Sequence, residues 1–274
     1  MANLLRAGFV RMKKSPVFWL GVAVMSGWAV LVCWRTHSRQ GVYVYSLDDV
    51  LFYHNLVGIF LPSVFCALFL GTEYDNGTIR NKLVAGRTRT EVYLSNLILT
   101  VCAVLVMLLA FHLVTAVLGT LWLEGLRMPV GLALLSVAAN ALAVVALCSL
   151  CTVGSMLIPK KAVLAVALIM GLLLLLMVST TIDNRLQEPE YYPLVMEMVD
   201  GEFVQMEDVS NPNHVTGIDR EVWQFFADFL PTGQALQYHF AHAVHPWRMA
   251  AFSLVIVLAS TGAGLFAFRR KDIR

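Results

Sequence analysis

Residues 92–123 read VYLSNLILTVCAVLVMLLAFHLVTAVLGTLWL, with no Asp, Glu, Lys or Arg among them. A helix crossing a hydrocarbon core of about 30 Å needs about 20 residues. A charge left in that core costs several kcal/mol. Val92–Leu123 therefore reads as a membrane-spanning helix, long enough to tilt or to extend beyond the bilayer. Five more runs have the same character: Val17–Trp34, Leu51–Thr72, Val130–Ile158, Ala162–Thr181 and Met249–Phe268. None carries Asp, Glu, Lys or Arg. Pro62 sits inside the second run, where it removes a backbone donor and predicts a kink.

The whole composition agrees. Hydrophobic residues make up 58% of the 274 and charged residues 14%; a soluble domain has roughly 45–50% and about 25%. Mean hydropathy is +0.71. Cys33, Cys66, Cys102, Cys148 and Cys151 all lie in apolar runs, where a thiol packs as a small hydrophobe. Cys148 and Cys151 form a lone C-x-x-C inside an apolar helix, which reads as packing rather than metal or redox chemistry. The first run follows Arg11, Lys13 and Lys14 like a signal sequence. It is too long for one and lacks a small-residue cleavage site, so it is expected to stay as an anchor.

Basic residues set the orientation. With both termini cytoplasmic, fourteen Lys and Arg fall inside and six outside, alternating correctly at every connection. The expected fold is an all-α integral membrane protein forming one domain over residues 1–274. Residues 1–15 form an amphipathic interfacial helix, with Leu5, Phe9 and Met12 on one face. Residues 16–182 hold spans one to five, and 183–246 form a long acidic external segment. Span six covers 247–268, and 269–274 are a cytoplasmic tail. Within the external segment, Val199-Asp200-Gly201-Glu202 suits the turn of a small hairpin, and Val222, Phe225, Phe226 and Phe229 recur at helical spacing.

Chemistry is sparse. No G-x-x-x-x-G-K-[ST] is present to cradle a nucleotide phosphate. Neither H-E-x-x-H nor G-x-S-x-G is present, against a membrane protease or esterase. Ion-coupled transporters place ionisable groups at mid-membrane. The spans here offer only His54, Asn55, His112 and Asn140, of which Asn55, His112 and Asn140 are the candidates for a substrate pathway. His239, His242 and His245 stand at i, i+3 and i+6. They suit either a metal or, with Trp247, the polar aromatic belt of an outer interface.

The connection between the second and third runs is the most informative: Glu73-Tyr-Asp-Asn-Gly77-Thr78-Ile79-Arg80-Asn-Lys-Leu83-Val-Ala-Gly86-Arg-Thr-Arg89. Thr78 is placed to cap a short helix, Ile79 and Leu83 share one face, and Gly86 supplies a stop. A helix so short needs a partner to hold it. Two readings stand: a solvated basic loop on lipid headgroups, or a helix that docks in a groove through Ile79 and Leu83.

This loop resembles the first cytoplasmic loop of type-two ABC exporter permeases, the membrane subunits of drug, peptide and bacteriocin efflux systems. Phe229-Leu-Pro-Thr-Gly-Gln-Ala235 is similar to the external segment before that family's last helix. Gly264-Leu-Phe-Ala-Phe-Arg-Arg-Lys-Asp-Ile273 is similar to its C-terminal ending. The resemblance implies a multi-pass subunit in the cell membrane, not itself an enzyme, moving an amphipathic or hydrophobic substrate outward. Its implied partners are two separate ABC ATPase subunits, which carry the ATP and Mg, a second permease, and membrane lipids. Neither nucleic acid nor a cofactor on this chain is implied. ATP binding would close the ATPases against the helix at Thr78–Val84, with Glu73, Gly77, Thr78, Ile79, Arg80, Leu83, Gly86 and Arg89 forming the coupling loop. Gly77 and Gly86 would be its joints, Arg80 and Arg89 its charged contacts. A membrane scaffold or immunity protein, and a lipid-modifying enzyme using the histidines, are the rival classes.

Overall fold

Six helices are long and apolar enough to cross a membrane, one for each apolar run. The structure, a computed structural model, describes residues 1–41, 44–192, 195–199, 202–206 and 209–271. Helix α1 (Ala2–Lys13) precedes the first span, α2 (Pro16–His37). The second span, 55–75, is assembled from pieces. These are α3 (Asn55–Gly58), α4 (Leu61–Phe65), a wide π-helical stretch (Cys66–Leu70) and α5 (Gly71–Asp75). Pro62 falls in the first turn of α4, where its missing N–H has no partner to lose. The expected kink is thus a break just ahead of it. Residues 51–54, the start of the apolar run, are turns rather than helix.

Next come α6 (Thr78–Val84), α7 (Arg89–Trp122), α8 (Val130–Leu157) and α9 (Lys161–Gln187). The 34 residues of α7 reach about 50 Å at the usual rise, which accounts for its surplus length. After a β-hairpin, β1 (Val195–Val199) with β2 (Glu202–Met206), come α10 (Gly217–Phe229), α11 (Pro231–His239) and the last span, α12 (Pro246–Arg270). Val199 pairs with Glu202, so the hairpin falls where the sequence places it; Asp200 and Gly201 themselves lie outside the described residues.

Helix α2 lies along α7, and α12 along α8, with the second span among α7, α8 and α9. That span is 67% buried, while α9 and α12 are 17% buried, so the broken span is the centre of the bundle. Phe65, Phe69, Met107 and Phe111 pack there. Leu113, Leu121, Met177 and Leu258 face outward, as a lipid solvent allows.

The segment expected to be external is more integrated than its acidity suggests. Helix α9 carries on through Asp183 to Gln187, and α11 is buried from Pro231 to Tyr238 against α8, α9 and α3. Close packing explains the Pro-Thr-Gly-Gln sequence. A Cβ on Gly233 would meet the Ala227 carbonyl oxygen at 2.5 Å. Thr232 shares a hydrogen bond of 2.7 Å with Ser179 of α9. Gln234 donates to the carbonyls of Asp228 (2.7 Å) and Met249 (3.0 Å) and accepts from Ser253 (2.7 Å).

Candidate functional site

Helix α1 and the end of α12 both reach α5, the element just ahead of α6, at one end of the bundle. Gly77 enters α6 at φ 63°, a left-handed conformation open to glycine without a steric penalty. Thr78 is therefore the first helical residue and its side chain makes no capping bond, contrary to the expectation from its type. Gly86, at φ 80°, ends the helix: Gly86 N–H donates to Leu83 O (3.0 Å) and Arg87 N–H to Lys82 O (3.1 Å). That pair of bonds is the Schellman stop, and here the sequence reading holds.

Seven residues do not hold a helix alone. Ile79 is 1% exposed in the main core and Leu83 packs against that core. The pair expected to face a partner thus faces this chain's own bundle, because burying two aliphatic side chains is what fastens α6. Outward stand Arg80, Asn81, Ala85 and, 80% exposed, Val84. Lys82 fixes the other side through Glu73, its Nζ 2.7 Å from Oε1. Arg11 Nη1 of α1 also reaches Oε1 at 2.7 Å, and Asn96 Nδ2 of α7 donates to Oε2 at 2.9 Å. Glu73, 1% exposed, thus joins α1, α5, α6 and α7. Burying a carboxylate so fully is costly without such partners.

Arg89 is likewise turned inward. Its Nη1 donates to Phe268 O at 2.8 Å and to Lys271 O. These carbonyls end α12 and would otherwise lack donors, which attracts a cation. Thr88 and Glu91 cap α7 reciprocally, at 3.2 and 3.1 Å. The Met1 amino group lies 2.9 Å from the Glu91 carboxylate. Lys271 Nζ donates to Tyr74 Oη (2.7 Å) and Met156 O (3.1 Å); burial and then the Arg89 charge lower its pKa to about 8.

Deeper in the bundle, the three residues singled out for a pathway come together. Asn140 Nδ2 donates to Asn55 Oδ1 at 3.1 Å and lies 2.9 Å from His54 Nε2. His54 Nδ1 faces Leu51 O at 3.3 Å. An amide donor at Nε2 and a carbonyl at Nδ1 fix the neutral tautomer with its proton on Nδ1. The His112 ring centre is 4.8 Å from that of His54. Asn55 Nδ2 also donates to Ala235 O of α11 at 3.0 Å. The cluster is a knot tying span two to α8 and α11.

Residues 4–185, from α1 nearly to the end of α9, match the family model for ABC-2 family transporter proteins. The chain belongs to the ABC-2 transporter family. Among curated proteins no relative matches it. The matched stretch spans Arg11, Glu73, α6 and Asn96, and the His54, Asn55, His112 and Asn140 part of the knot.

Beyond the matched stretch, the permease has a second buried carboxylate. Asp228, 0% exposed, accepts from Arg248 Nε (2.6 Å), Gln224 (2.8 Å) and Gln237 (3.1 Å), with His245 Nδ1 at 3.2 Å. His242 Nε2 instead lies 2.7 Å from Asp183, and His239 Nδ1 faces Phe52 O at 3.5 Å. The three histidines therefore go to three different partners, and among the described residues no three metal-binding side chains converge. Sequence reading passed over Asp183, Asp228 and Arg248, whose charged or imidazole partners lie many residues away along the chain; it passed over Asn96 and Arg11 for the same reason.

Proposed function

We propose that this ABC-2 permease exports an amphipathic or hydrophobic substrate, driven by separate ATPase subunits that dock on the outward face of α6. The observation that carries the reading is the construction of α6. Two left-handed glycines, a buried Ile79 and the Glu73–Lys82 pair fasten a seven-residue helix to the bundle and leave Arg80, Asn81 and Val84 uncovered. A force on that face passes through Glu73 to α1, α5 and α7, and α5 ends the broken central span. The π-helical stretch and the break before Pro62 give that span joints at which to bend. ATP and Mg belong to the ATPases, which the chain's lack of a phosphate-binding loop supports. Thirteen of the nineteen described basic residues lie on the α6 side of the spans, which favours a cytoplasmic position for both termini in the cell membrane. A second permease, identical or related, and lipid complete the assembly in this reading.

Val84→Asp tests the docking face. It places a charge into an interface while touching nothing in the bundle, so the variant should reach normal abundance yet lose ATPase co-purification and export. Wild-type ATPase binding and export by Val84→Asp would remove α6 as the docking element.

A further inference from the structure

A cavity of about 330 Å³ lies between the second span, α9 and α11. Leu56, Ile59, Leu176 and Leu236 give it apolar walls, and Thr180 and Asp183 give it a polar edge. That volume falls in the range of small-molecule sites, about 300–1,000 Å³. Among the described residues neither Lys nor Arg lines it. The nearest arginine along the chain, Arg185, turns away to Asn213 at 3.1 Å.

Asp183 is unlike the other two buried carboxylates. Glu73 and Asp228 each hold an arginine. Asp183, 8% exposed, has among the described residues a single partner, His242 Nε2 on Oδ1, and Oδ2 accepts from no described side chain. His242 is put there at a conformational cost. Ala241 adopts φ 58°, the left-handed position that normally takes glycine at a helix end, so that His242 N–H reaches Gln237 O at 3.0 Å. A carboxylate with one oxygen free at the edge of an apolar cavity attracts a cation that brings its own apolar body.

We infer that this cavity binds a small cationic amphiphile, its ammonium or guanidinium group on Asp183 and its apolar part against Leu176 and Leu236. The site stands on the cavity and the carboxylate; its use in transport rests on the export reading above.

Charge-selective labelling tests it on the purified full chain in nanodiscs. Thr180→Cys puts a thiol at the cavity edge in a Cys102→Ala background, the other four cysteines being buried. A methanethiosulfonate with a trimethylammonium head should react at least about tenfold faster than one with a sulfonate head, since a one-sign cleft concentrates counter-ions. Hexylammonium should protect the thiol, and hexanoate and hexanol should not. Asp183→Asn should abolish both effects. Thr181→Cys, exposed on the neighbouring face, should show no protection. Equal rates for the two reagents, no reaction with either, or protection by hexanol equal to that by hexylammonium would overturn the proposal. Because Asp183 is intact in the first two comparisons, they stand even if Asp183→Asn fails to fold. No ATPase is present, so failure here is distinct from failure of the docking reading.

Discussion

Glu73 receives Arg11, Lys82 and Asn96, and each comes from a different helix. Glu73→Gln keeps the shape and removes the charge, leaving two cations to repel each other. Breaking a fully buried pair costs about 3–5 kcal/mol. Both cations here keep some contact with water, so about 2 kcal/mol is expected, read as a lower melting temperature in detergent. Adding Lys82→Met should recover part of the loss. Ala241→Gly should raise the melting temperature, since a left-handed alanine costs roughly 1–2 kcal/mol that glycine does not; a fall would mean that the turn is not strained. Lys271 offers a pH test. Its folded pKa of about 8 lies below the ordinary 10.5, so the charged form is the disfavoured one. That penalty is present in full below about pH 8 and fades as pH rises towards 10.5, so this group makes stability increase across that window. NMR of ¹³C-dimethylated lysines should show one resonance titrating near pH 8 and lost in Lys271→Arg.

At the scale of elements, α6 shows which signals a sequence carries. Gly86 was legible as a helix stop because its role is local, set by backbone conformation. Thr78 was misread for a reason just as local: a glycine before it turned the chain, and the threonine had nothing left to cap. Ile79 and Leu83 were legible as one face of a helix, but which way that face points depends on packing against residues distant in sequence. Two substitutions now separate inward from outward. Ile79→Asp puts a charge into the core and should lower membrane abundance of the chain itself. Val84→Asp should leave abundance unchanged and act on the partner. The reverse pattern would place α6 the other way round. Helix α11 makes the same point, since an acidic segment gave no sign that part of it is buried among the spans.

For the whole molecule, the six spans could be read directly because lipid demands long uncharged runs with internally satisfied backbones. Their arrangement could not, because α2 with α7 and α8 with α12 pair through outwardly similar apolar surfaces. The Asn55–Asn140–His54 knot was half legible. Rare polar residues in spans stand out, but their contact follows only from the packing. In the proposed reading, what makes this bundle a machine rather than an anchor is an ATPase docked at α6, and a photo-crosslinker tests that contact directly. A benzoylphenylalanine at position 84, irradiated in intact cells, should join the chain to a subunit that mass spectrometry shows to carry a nucleotide-binding phosphate loop. The same group at Leu113, exposed on the outer face of α7, should join nothing of that kind. A crosslink from position 84 to lipid alone, while the ATPase is captured from another part of the chain, would contradict the account.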